Sequence, residues 1–365
     1  MISRAFELFS RRIDGPLMAA LVLTVSLGLT VVYSASGGAS FDRVLGQGRN
    51  LVVALTALWI VANVPPQQLM RLAVPAYIAG LALLIGVALF GEVRNGARRW
   101  LSLGFTTIQP SEIMKIAVPL MLAWYFHKHE ESLRIRDYSL AAILLALPVG
   151  LIVRQPDLGT AMLIAASGFF VIFLAGLSWK IMISFGVAGL TSLPFLWSML
   201  HDYQRRRILT LLDPMEDPLG AGYHIIQSTI AIGSGGVLGK GWLNGTQAQL
   251  DFVPERSTDF ILAVFGEEFG LAGNLVLITL YLIIIARGLM IAANAPTTFS
   301  RLMAGAVTLT FFTYAFVNMG MVSGILPVVG VPLPMISYGG TALVSILVGF
   351  GVLMSISTHK QLVSS

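Results

Sequence analysis

The residue of this sequence best placed to do chemistry is a single carboxylate at the start of a long apolar stretch. Asp259 follows the polar run Pro254-Glu-Arg-Ser-Thr258 and precedes an apolar segment that begins at Phe260. An ionisable group at the edge of hydrocarbon is costly to keep there, so function is the default hypothesis for it. Ser257 or Thr258 can cap the following helix, which puts Asp259 in the first turn. There the helix dipole favours the anion and the apolar surface favours the neutral acid, and these opposing effects can leave a proton acceptor at neutral pH.

Other polar residues also lie at or within apolar segments. Glu112 and Lys115 are three residues apart, so they share one helix face and can pair, either within a site or as a lock between two helices. Asp157 begins another apolar segment and is equally suited to start a helix. Glu267 and Glu268 lie about two turns into their segment, as candidates for a proton pathway or for polar ties between packed helices.

The composition places these residues in an integral membrane protein. Of the 365 residues, 56% are hydrophobic and 11% are charged, and the mean hydropathy is +0.82. Apolar stretches of roughly 17 to 25 residues predict about ten transmembrane helices. They begin near Leu17, Leu51, Leu72, Ile113, Leu140, Leu158, Ile181, Phe260, Leu302 and Ala342. We therefore predict an all-α polytopic membrane protein of one domain, residues 1–365, with a large loop at 200–258 between the seventh and eighth helices.

The distribution of basic residues orients the predicted bundle. Arg4, Arg11 and Arg12 precede the first apolar segment, and no small-residue cleavage site follows it, so we interpret it as a retained helix with a cytoplasmic N-terminus. An even number of helices returns the C-terminus to the same side. The outer face carries as many Lys and Arg residues as the cytoplasmic face, which indicates either an anionic ligand, such as a phosphate-bearing lipid, or contact with anionic headgroups. The net charge of +5 is no evidence for nucleic acid, and the absence of cysteine excludes disulfides and thiolate chemistry.

The loop at 200–258 has the composition of an ordered segment. Residues 223–232 have apolar side chains at helical spacing, which predicts a short helix lying at the membrane surface. The stretch from Gly233 to Gly245 is dense in glycine. Such a stretch either allows close backbone approach to an anionic ligand or forms a set of tight turns.

Several short motifs occur in a fixed order along the chain, and together they carry a family resemblance. They are Asn95-Gly-Ala-Arg-Arg-Trp100, Gln109-Pro-Ser-Glu-Ile-Met-Lys115, Gln155-Pro-Asp-Leu-Gly-Thr160, Gly220-Ala-Gly-Tyr-His-Ile-Ile-Gln227, Pro254-Glu-Arg-Ser-Thr-Asp-Phe260, Leu326-Pro-Val-Val-Gly-Val-Pro-Leu-Pro334 and Ser337-Tyr-Gly-Gly340. Over nearly its whole length the chain resembles the SEDS family (shape, elongation, division and sporulation) of polytopic membrane glycosyltransferases. The resemblance implies a peptidoglycan glycosyltransferase that joins lipid II units into glycan strands for cell elongation and rod shape, at the periplasmic face of the bacterial inner membrane.

The resemblance also implies roles for individual residues. In the family the aspartate of the Thr-Asp-Phe motif is catalytic, which falls on Asp259, and its proposed role is to deprotonate the acceptor 4-hydroxyl for an inverting attack on the donor sugar. Undecaprenyl pyrophosphate leaves, and cations can stabilise it. We expect basic residues to bind pyrophosphate directly or through a divalent cation such as Mg²⁺ or Mn²⁺, with acidic residues orienting those cations and with no organic cofactor. The basic residues are Arg49, Arg99, Lys115, Lys240 and Arg256, and the acidic ones are Glu112, Asp157 and Glu255. Relatives often have histidine where this chain has Ser257.

The resemblance implies partners as well. These are a class B penicillin-binding protein that supplies transpeptidation, other membrane proteins of the elongation complex, lipid II with the growing glycan strand, and membrane lipids, but no nucleic acid. A lipid II flippase or another transporter of lipid-linked substrates is the alternative, because such proteins also use intramembrane carboxylates and interrupted helices. A flippase needs polar residues from one face to the other, whereas the informative residues here gather at the outer face. An inactive scaffold fits the ionisable residues at helix mouths less well.

Overall fold

The computed structural model describes residues 12–38, 41–94, 97–102, 107–199, 202–217, 220–250 and 252–359. Within them the helices are α1 (Gly15–Ala35), α2 (Asp42–Asn63), α3 (Pro66–Phe90), α4 (Pro110–Lys128), α5 (Ile135–Val153), α6 (Leu158–Leu174), α7 (Trp179–Met199), α8 (Asp202–Leu212), α9 (Ala221–Ser234), α10 (Thr246–Gln249), α11 (Ile261–Ala293), α12 (Thr298–Val322) and α13 (Thr341–Thr358). Short 3₁₀ turns occupy Glu130–Ser132 and Pro214–Glu216, and the strands are β1 (Glu92–Arg94), β2 (Ala97–Ser102) and β3 (Thr107–Ile108).

The prediction of an all-α polytopic membrane protein is confirmed. Among the described residues seven helices are long and apolar enough to cross a membrane, namely α1, α2, α3, α5, α11, α12 and α13, and α6 is a shorter apolar helix. A helix lies at each of the ten predicted places, and ten as the number of spans stays a prediction. Helix α2 begins well before the predicted Leu51, because its first two turns carry polar residues such as Gln47 and Asn50 that an apolar run leaves out.

Helices α12 and α13 form the centre of the bundle, with 67% of the residues in their most apolar windows buried. Helix α13 packs along α2, α11 packs against α12 and α1, and α4 contacts α3, α6 and α12. A Cβ on Gly351 of α13 would lie 2.6 Å from the carbonyl oxygen of Leu58 in α2. Small residues let apolar helices approach this closely. The site residues of α4, α11 and α13 are thus carried on helices that contact one another or a shared neighbour.

A small antiparallel sheet was not predicted. Its strand order is β1-β2-β3, with Glu92 opposite Trp100 and Leu101 opposite Ile108. The dipeptide Asn95-Gly96, which lies in the sequence between β1 and β2, is a common hairpin signal. The sheet packs on α3 and α4 and carries Arg99 towards the start of α6.

Helix α11 is broken at Gly270, where φ is 63° and ψ is −161°. The break leaves main-chain groups of α11 without hydrogen-bond partners inside the helix. The glycine-rich segment, residues 233–245, supplies those partners. The amide nitrogens of Lys240 and Gly241 donate to the carbonyl oxygens of Glu267 and Glu268, each at 3.0 Å. Residues 236 and 237 accept from the amides of residues 271 and 272, at 2.9 Å each. The glycines therefore allow the backbones of the glycine-rich segment and α11 to approach closely. Two amides of that segment donate hydrogen bonds to α11.

The Glu267 side chain fixes the same segment from within the protein. It is fully buried and accepts hydrogen bonds from the amides of Gln247 (3.0 Å) and Ala248 (3.2 Å). It also accepts from Thr246 Oγ1 at 3.1 Å and pairs with Lys240 Nζ at 2.7 Å. A buried carboxylate is tolerated when it is paired and hydrogen-bonded in this way. Glu267 therefore ties residues 240–248 to α11, in agreement with the polar-tie interpretation.

Helix α9 covers residues 223–232, where a short helix was predicted, and its place at the membrane surface stays a prediction. It packs on α11, with Ile225, Ser228 and Ala231 buried. Ser228 Oγ donates to the carbonyl oxygen of Val322 at the end of α12, at 2.9 Å. The loop at 200–258 is thus folded against the helices that carry the site.

Replacing Gly270 with alanine is expected to destabilise the protein. Its φ and ψ lie in a region that is essentially restricted to glycine, where strain costs about 1–3 kcal/mol, and a Cβ there would lie 2.3 Å from the nitrogen of Gly239. We expect a lower apparent melting temperature in detergent. Gly150→Ala in α5 is the matched control, because a Cβ at Gly150 has no atom within 4 Å. Equal melting temperatures for the two variants would contradict the role of Gly270.

Candidate active site

Asp259 lies in a turn directly before α11, not in the first helical turn. The N-cap position is Phe260, and no side chain caps the helix. The prediction that Ser257 or Thr258 caps α11 is therefore wrong. Both hydroxyls have other partners, since Thr258 Oγ1 donates to Glu255 Oε2 at 2.9 Å and Ser257 Oγ accepts from Arg43.

The turn that carries Asp259 is held through its backbone. Three consecutive carbonyl oxygens, those of residues 257, 258 and 259, accept hydrogen bonds from residues near the ends of α12 and α13. Their donors are the Tyr338 amide at 2.8 Å, Ser337 Oγ at 2.7 Å and Asn318 Nδ2 at 2.8 Å. We call this set of contacts the carbonyl clamp. It fixes the direction of the Asp259 side chain without touching the carboxylate.

Buried polar residues in turn hold the clamp. Asn318 is fully buried and also donates to the carbonyl oxygen of Val331 at 2.7 Å. Ser337 Oγ accepts from the Leu333 amide at 2.8 Å, and the Gln47 side chain of α2 donates to the carbonyl oxygen of Ser337 at 3.1 Å. Because buried polar groups are costly unless paired, these contacts favour one arrangement of the turn.

The electrostatic surroundings of Asp259 favour its neutral form. Burial, and secondarily the negative charge of Glu255, raises the pKa of the Asp259 carboxyl from its ordinary value near 3.8 to about 6. A Cβ on Gly330, which has φ of 73°, would lie 3.4 Å from Asp259 Oδ2, so this glycine leaves room beside the carboxylate. Of the opposing effects predicted from sequence, burial dominates.

A second polar group lies in the bundle at the start of α4. Lys115 Nζ pairs with Glu112 Oε1 at 2.6 Å, and Ser345 Oγ of α13 donates to Glu112 Oε2 at 2.7 Å. The ammonium lies 5.2 Å from the centre of the Tyr314 ring of α12. The pair predicted from the spacing is thus present, and it joins α4 to α12 and α13.

A third group surrounds the start of α6. Asp157 is the N-cap and accepts from the Thr160 amide at 3.3 Å, as the helix-starting interpretation predicts. Arg99 Nε lies 3.7 Å from Asp157 Oδ2, and Arg99 Nη2 donates to the Pro156 carbonyl oxygen at 2.9 Å. Gln109, the N-cap residue of α4, donates to Asp157 Oδ2 at 3.4 Å. Asp157 therefore links β2, α4 and α6.

Contacts between neighbouring segments link these groups. A Cβ on Gly159 would lie 2.6 Å from the Val329 carbonyl oxygen, so the start of α6 abuts the segment that contains Gly330, beside Asp259. The other predicted binding residues are placed differently. Lys240 pairs with Glu267, Arg256 Nη1 donates to the carbonyl oxygen of Ala248, and Arg49 is exposed on α2.

A lateral pocket of about 710 Å³ opens beside the second group. Its polar lining includes Asn50, Gln109 and Glu112, and its apolar lining comes from α2, α3, α4 and α13. A long apolar pocket with polar groups at one point suits a ligand with a hydrocarbon tail and a polar head. Sequence reasoning missed it, because the pocket forms only when α13, near the end of the chain, packs beside α2, α3 and α4.

His224 of α9 was also missed, although it lies in one of the motifs. Its ring packs on Phe260 with ring centres 5.3 Å apart, and its Nδ1 is buried without a hydrogen-bond partner. Burial lowers the pKa of His224 below its ordinary value, against the opposing charges of Glu255 and Asp217. The imidazole is therefore neutral at pH 7, next to the turn that carries Asp259.

The donor set around Asp259 does not by itself form a metal site. Within the residues that the structure describes, no group of three or more histidine, aspartate or glutamate side chains is placed to hold a metal ion. A divalent cation usually needs several oxygen ligands. The predicted Mg²⁺ or Mn²⁺ stays a prediction, and the chemistry below uses residues of the chain alone.

The fold and site define a polytopic membrane protein with a partly buried carboxylate at one mouth of its helix bundle. The sequence matches the "Cell cycle protein" family of FtsW, RodA and SpoVE over residues 16–362, and the chain belongs to this family. It is 50% identical to the peptidoglycan glycosyltransferase MrdB of Escherichia coli, covering 96% of this chain and 95% of that protein. A probable peptidoglycan glycosyltransferase FtsW of Geobacter metallireducens is 36% identical, covering 98% of both chains.

Solved structures support the same assignment. A chain of a peptidoglycan synthase complex that coordinates polymerization and crosslinking superposes with a TM-score of 0.80 at 35% identity, covering 94% of this chain and 97% of that one. The rod shape determining protein RodA of Thermus thermophilus gives a TM-score of 0.71 at 30% identity, covering 94% and 96%. Within the family, the higher identity to MrdB favours the rod-shape branch over the FtsW branch.

Proposed function

We propose that this protein is a peptidoglycan glycosyltransferase in which Asp259 is the general base. The observation that carries the proposal is a carboxylate with a raised pKa of about 6, held by the carbonyl clamp at the mouth of the bundle. A base with a pKa near the working pH is both deprotonated at pH 7 and a better proton acceptor than an ordinary aspartate. The relatives that share this fold bear the same activity in their names.

The reaction follows from the chemistry of a lipid-linked sugar. Asp259 takes the proton of the acceptor 4-hydroxyl while the oxygen forms a bond to the donor's anomeric carbon. The bond between that carbon and the pyrophosphate oxygen breaks, and undecaprenyl pyrophosphate leaves with the electron pair. A single displacement inverts the α-linked donor to a β-1,4 linkage. The leaving group needs stabilisation by cations, not protonation.

The lateral pocket is suited to the hydrocarbon part of a lipid-linked substrate. Its apolar walls between α2, α3, α4 and α13 match a polyprenyl chain, and its polar lining adjoins the Glu112–Lys115 pair. Arg49 on α2 and Arg99 on β2 are the basic residues that we propose for the pyrophosphate. In this arrangement the lipid enters sideways from the membrane and its head reaches the face that carries Asp259.

The family relationship extends the proposal to location and partners. The protein would lie in the bacterial inner membrane with both termini in the cytoplasm and Asp259 facing the periplasm. A crosslinking partner, a class B penicillin-binding protein, is supported by the similarity to a chain of a complex that combines polymerization and crosslinking.

The direct test is glycan-strand synthesis by the purified protein. Lipid II is supplied together with the cognate crosslinking protein, which must have no polymerase activity of its own, and products are separated by length. We expect glycan strands with release of undecaprenyl pyrophosphate. Transport of lipid II across vesicles without any polymer would instead support the transporter alternative.

The pH dependence of polymerisation provides a separate prediction. The rate is expected to rise with pH through about 6 and then level off, because Asp259 must lose its proton to act as a base. Glu255→Gln removes a negative charge that raises the pKa of Asp259, so the midpoint should shift to lower pH. Asp213→Asn, an exposed change in the same loop, is the control and should leave the midpoint in place. An unchanged midpoint in Glu255→Gln would contradict the assignment of Asp259 as the titrating base.

A further inference from the structure

The glycine-rich segment exposes large apolar side chains at its tip. Val237 is 67% exposed and Leu238 is 80% exposed, although both follow a helix that is packed on the bundle. Trp242 is 46% exposed, and its Nε1 donates to the carbonyl oxygen of Thr30 in α1 at 3.2 Å. Adjacent apolar residues with this exposure usually mark a surface that meets another apolar phase.

The position of this tip along the membrane normal can be deduced from the exposed apolar side chains of α11. Before Gly270 the residues of α11 are nearly all buried, and after it a row of apolar side chains is exposed, from Leu271 (54%) to Met290 (49%). This row covers about 20 residues, or roughly 30 Å of helix at 1.5 Å per residue, which matches a hydrocarbon core of about 30 Å. Leu271 therefore marks the boundary of the lipid-facing surface at the end that carries Asp259.

The glycine-rich segment meets α11 at this boundary. The Leu271 amide donates to the carbonyl oxygen of Gly236, and the Ala272 amide donates to that of Val237. Val237 and Leu238 thus continue the apolar surface that α11 presents to lipid. Several backbone groups of the tip are paired within the protein, through hydrogen bonds to α11 and the bond from the Gly239 amide to the carbonyl oxygen of Gly235, which lowers the cost of placing them in lipid.

Aromatic residues flank the tip. Tyr33 packs against Phe41 with ring centres 4.9 Å apart and against Trp242 at 5.7 Å. Phe41 is 63% exposed. Tryptophan and tyrosine are enriched where a protein crosses the boundary between hydrocarbon and water. Trp242 follows Leu238 closely in the same segment, so the presence of these rings agrees with the level deduced from α11.

We infer that the tip of the glycine-rich segment, Val237 to Trp242, is a membrane anchor that inserts into the lipid leaflet on the side of Asp259. The segment lies within the loop that the sequence predicts to be outside the membrane. Lys240, within the tip, is joined to Glu267, and the exposed side chains of Val237 and Leu238 face the lipid. The inference is independent of the proposed catalytic function, because it depends only on exposure, helix length and main-chain contacts.

The absence of cysteine permits a direct test. Leu238→Cys, Leu275→Cys and Met215→Cys are each labelled with a nitroxide in the full-length protein reconstituted alone in phosphatidylglycerol/phosphatidylethanolamine nanodiscs. Collision rates with oxygen, which concentrates in lipid, and with a water-soluble nickel chelate are then compared. Leu275 (54% exposed) reports the lipid-facing side of α11, and Met215 (73% exposed) is the matched loop control.

We expect the ratio of oxygen to nickel collisions at Leu238 to shift from the value at Met215 towards that at Leu275. Melting temperatures that match those of the unlabelled parent confirm that each labelled protein is folded. A ratio at Leu238 equal to that at Met215 would place the tip in water and overturn the inference. Low collision rates with both reagents would also overturn it, since they would show that a second copy of the protein covers the tip.

Discussion

Asp259→Asn is expected to abolish glycan-strand formation from lipid II. The amide has nearly the shape of the carboxylate but cannot accept the proton of the acceptor hydroxyl, and a general base contributes about 100- to 10,000-fold to a rate. The carbonyl clamp contacts only the backbone of residue 259, so the turn should keep its position. The measurement is the initial rate of polymerisation with the crosslinking partner in excess.

Folding and assembly are the controls for this substitution. Because the Asp259 carboxyl has a raised pKa, burial disfavours its charge, and a neutral amide should not lower the melting temperature. Co-purification with the crosslinking partner should also be unchanged. Polymer formed at the parental rate by Asp259→Asn would assign the base to another residue.

Asn318→Ala is expected to reduce polymerisation by roughly 10- to 100-fold, the effect of a misplacement of about 1 Å at a reacting group. Asn318 Nδ2 donates to the carbonyl oxygens of both Asp259 and Val331 from a fully buried position. Alanine leaves both oxygens without this donor. Leaving a buried acceptor unpaired costs about 1–3 kcal/mol, and the turn can recover this only by moving.

A second asparagine provides the matched control for Asn318. Asn294 donates to the Met290 carbonyl oxygen at the exposed end of α11, so Asn294→Ala loses one hydrogen bond far from the clamp. It should polymerise at the parental rate. Lipid II binding should be retained in Asn318→Ala, because the lateral pocket does not include Asn318. A loss of binding with an unchanged turnover rate would contradict a positioning role.

The sequence was sufficient to predict the helices and to single out Asp259 as a candidate base, because both depend on local information. The apolar runs predicted a helix at each of ten places. Asp259 was identified because it is a carboxylate at the start of a long apolar stretch. Spacing within one helix also sufficed to predict the Glu112–Lys115 pair. In each case the interacting residues are close together in the chain.

The clamp and the pocket could not be predicted in the same way. Gln47, Asn318 and Ser337 come from three distant parts of the chain, and each is an ordinary polar residue until the fold brings it near residues 257–259. Lys240 is a further example. Its charge suggests an anionic ligand, which stays a prediction, and its pairing with Glu267 could not be predicted from sequence. Pairing partners distant in sequence decide which charges remain available to a ligand.

The carbonyl clamp also bears on how the motif around Asp259 can change during evolution. A contact made to a main-chain oxygen is present whatever side chain the residue carries. The residues at positions 257 and 258 can therefore be substituted without changing the direction of the Asp259 side chain. The Tyr338 amide, for example, donates to the carbonyl oxygen of Ser257, and this contact does not depend on the serine side chain. Substitutions of Asn318 and Ser337 are therefore the ones expected to change the direction of the Asp259 side chain, because their side chains make the contacts.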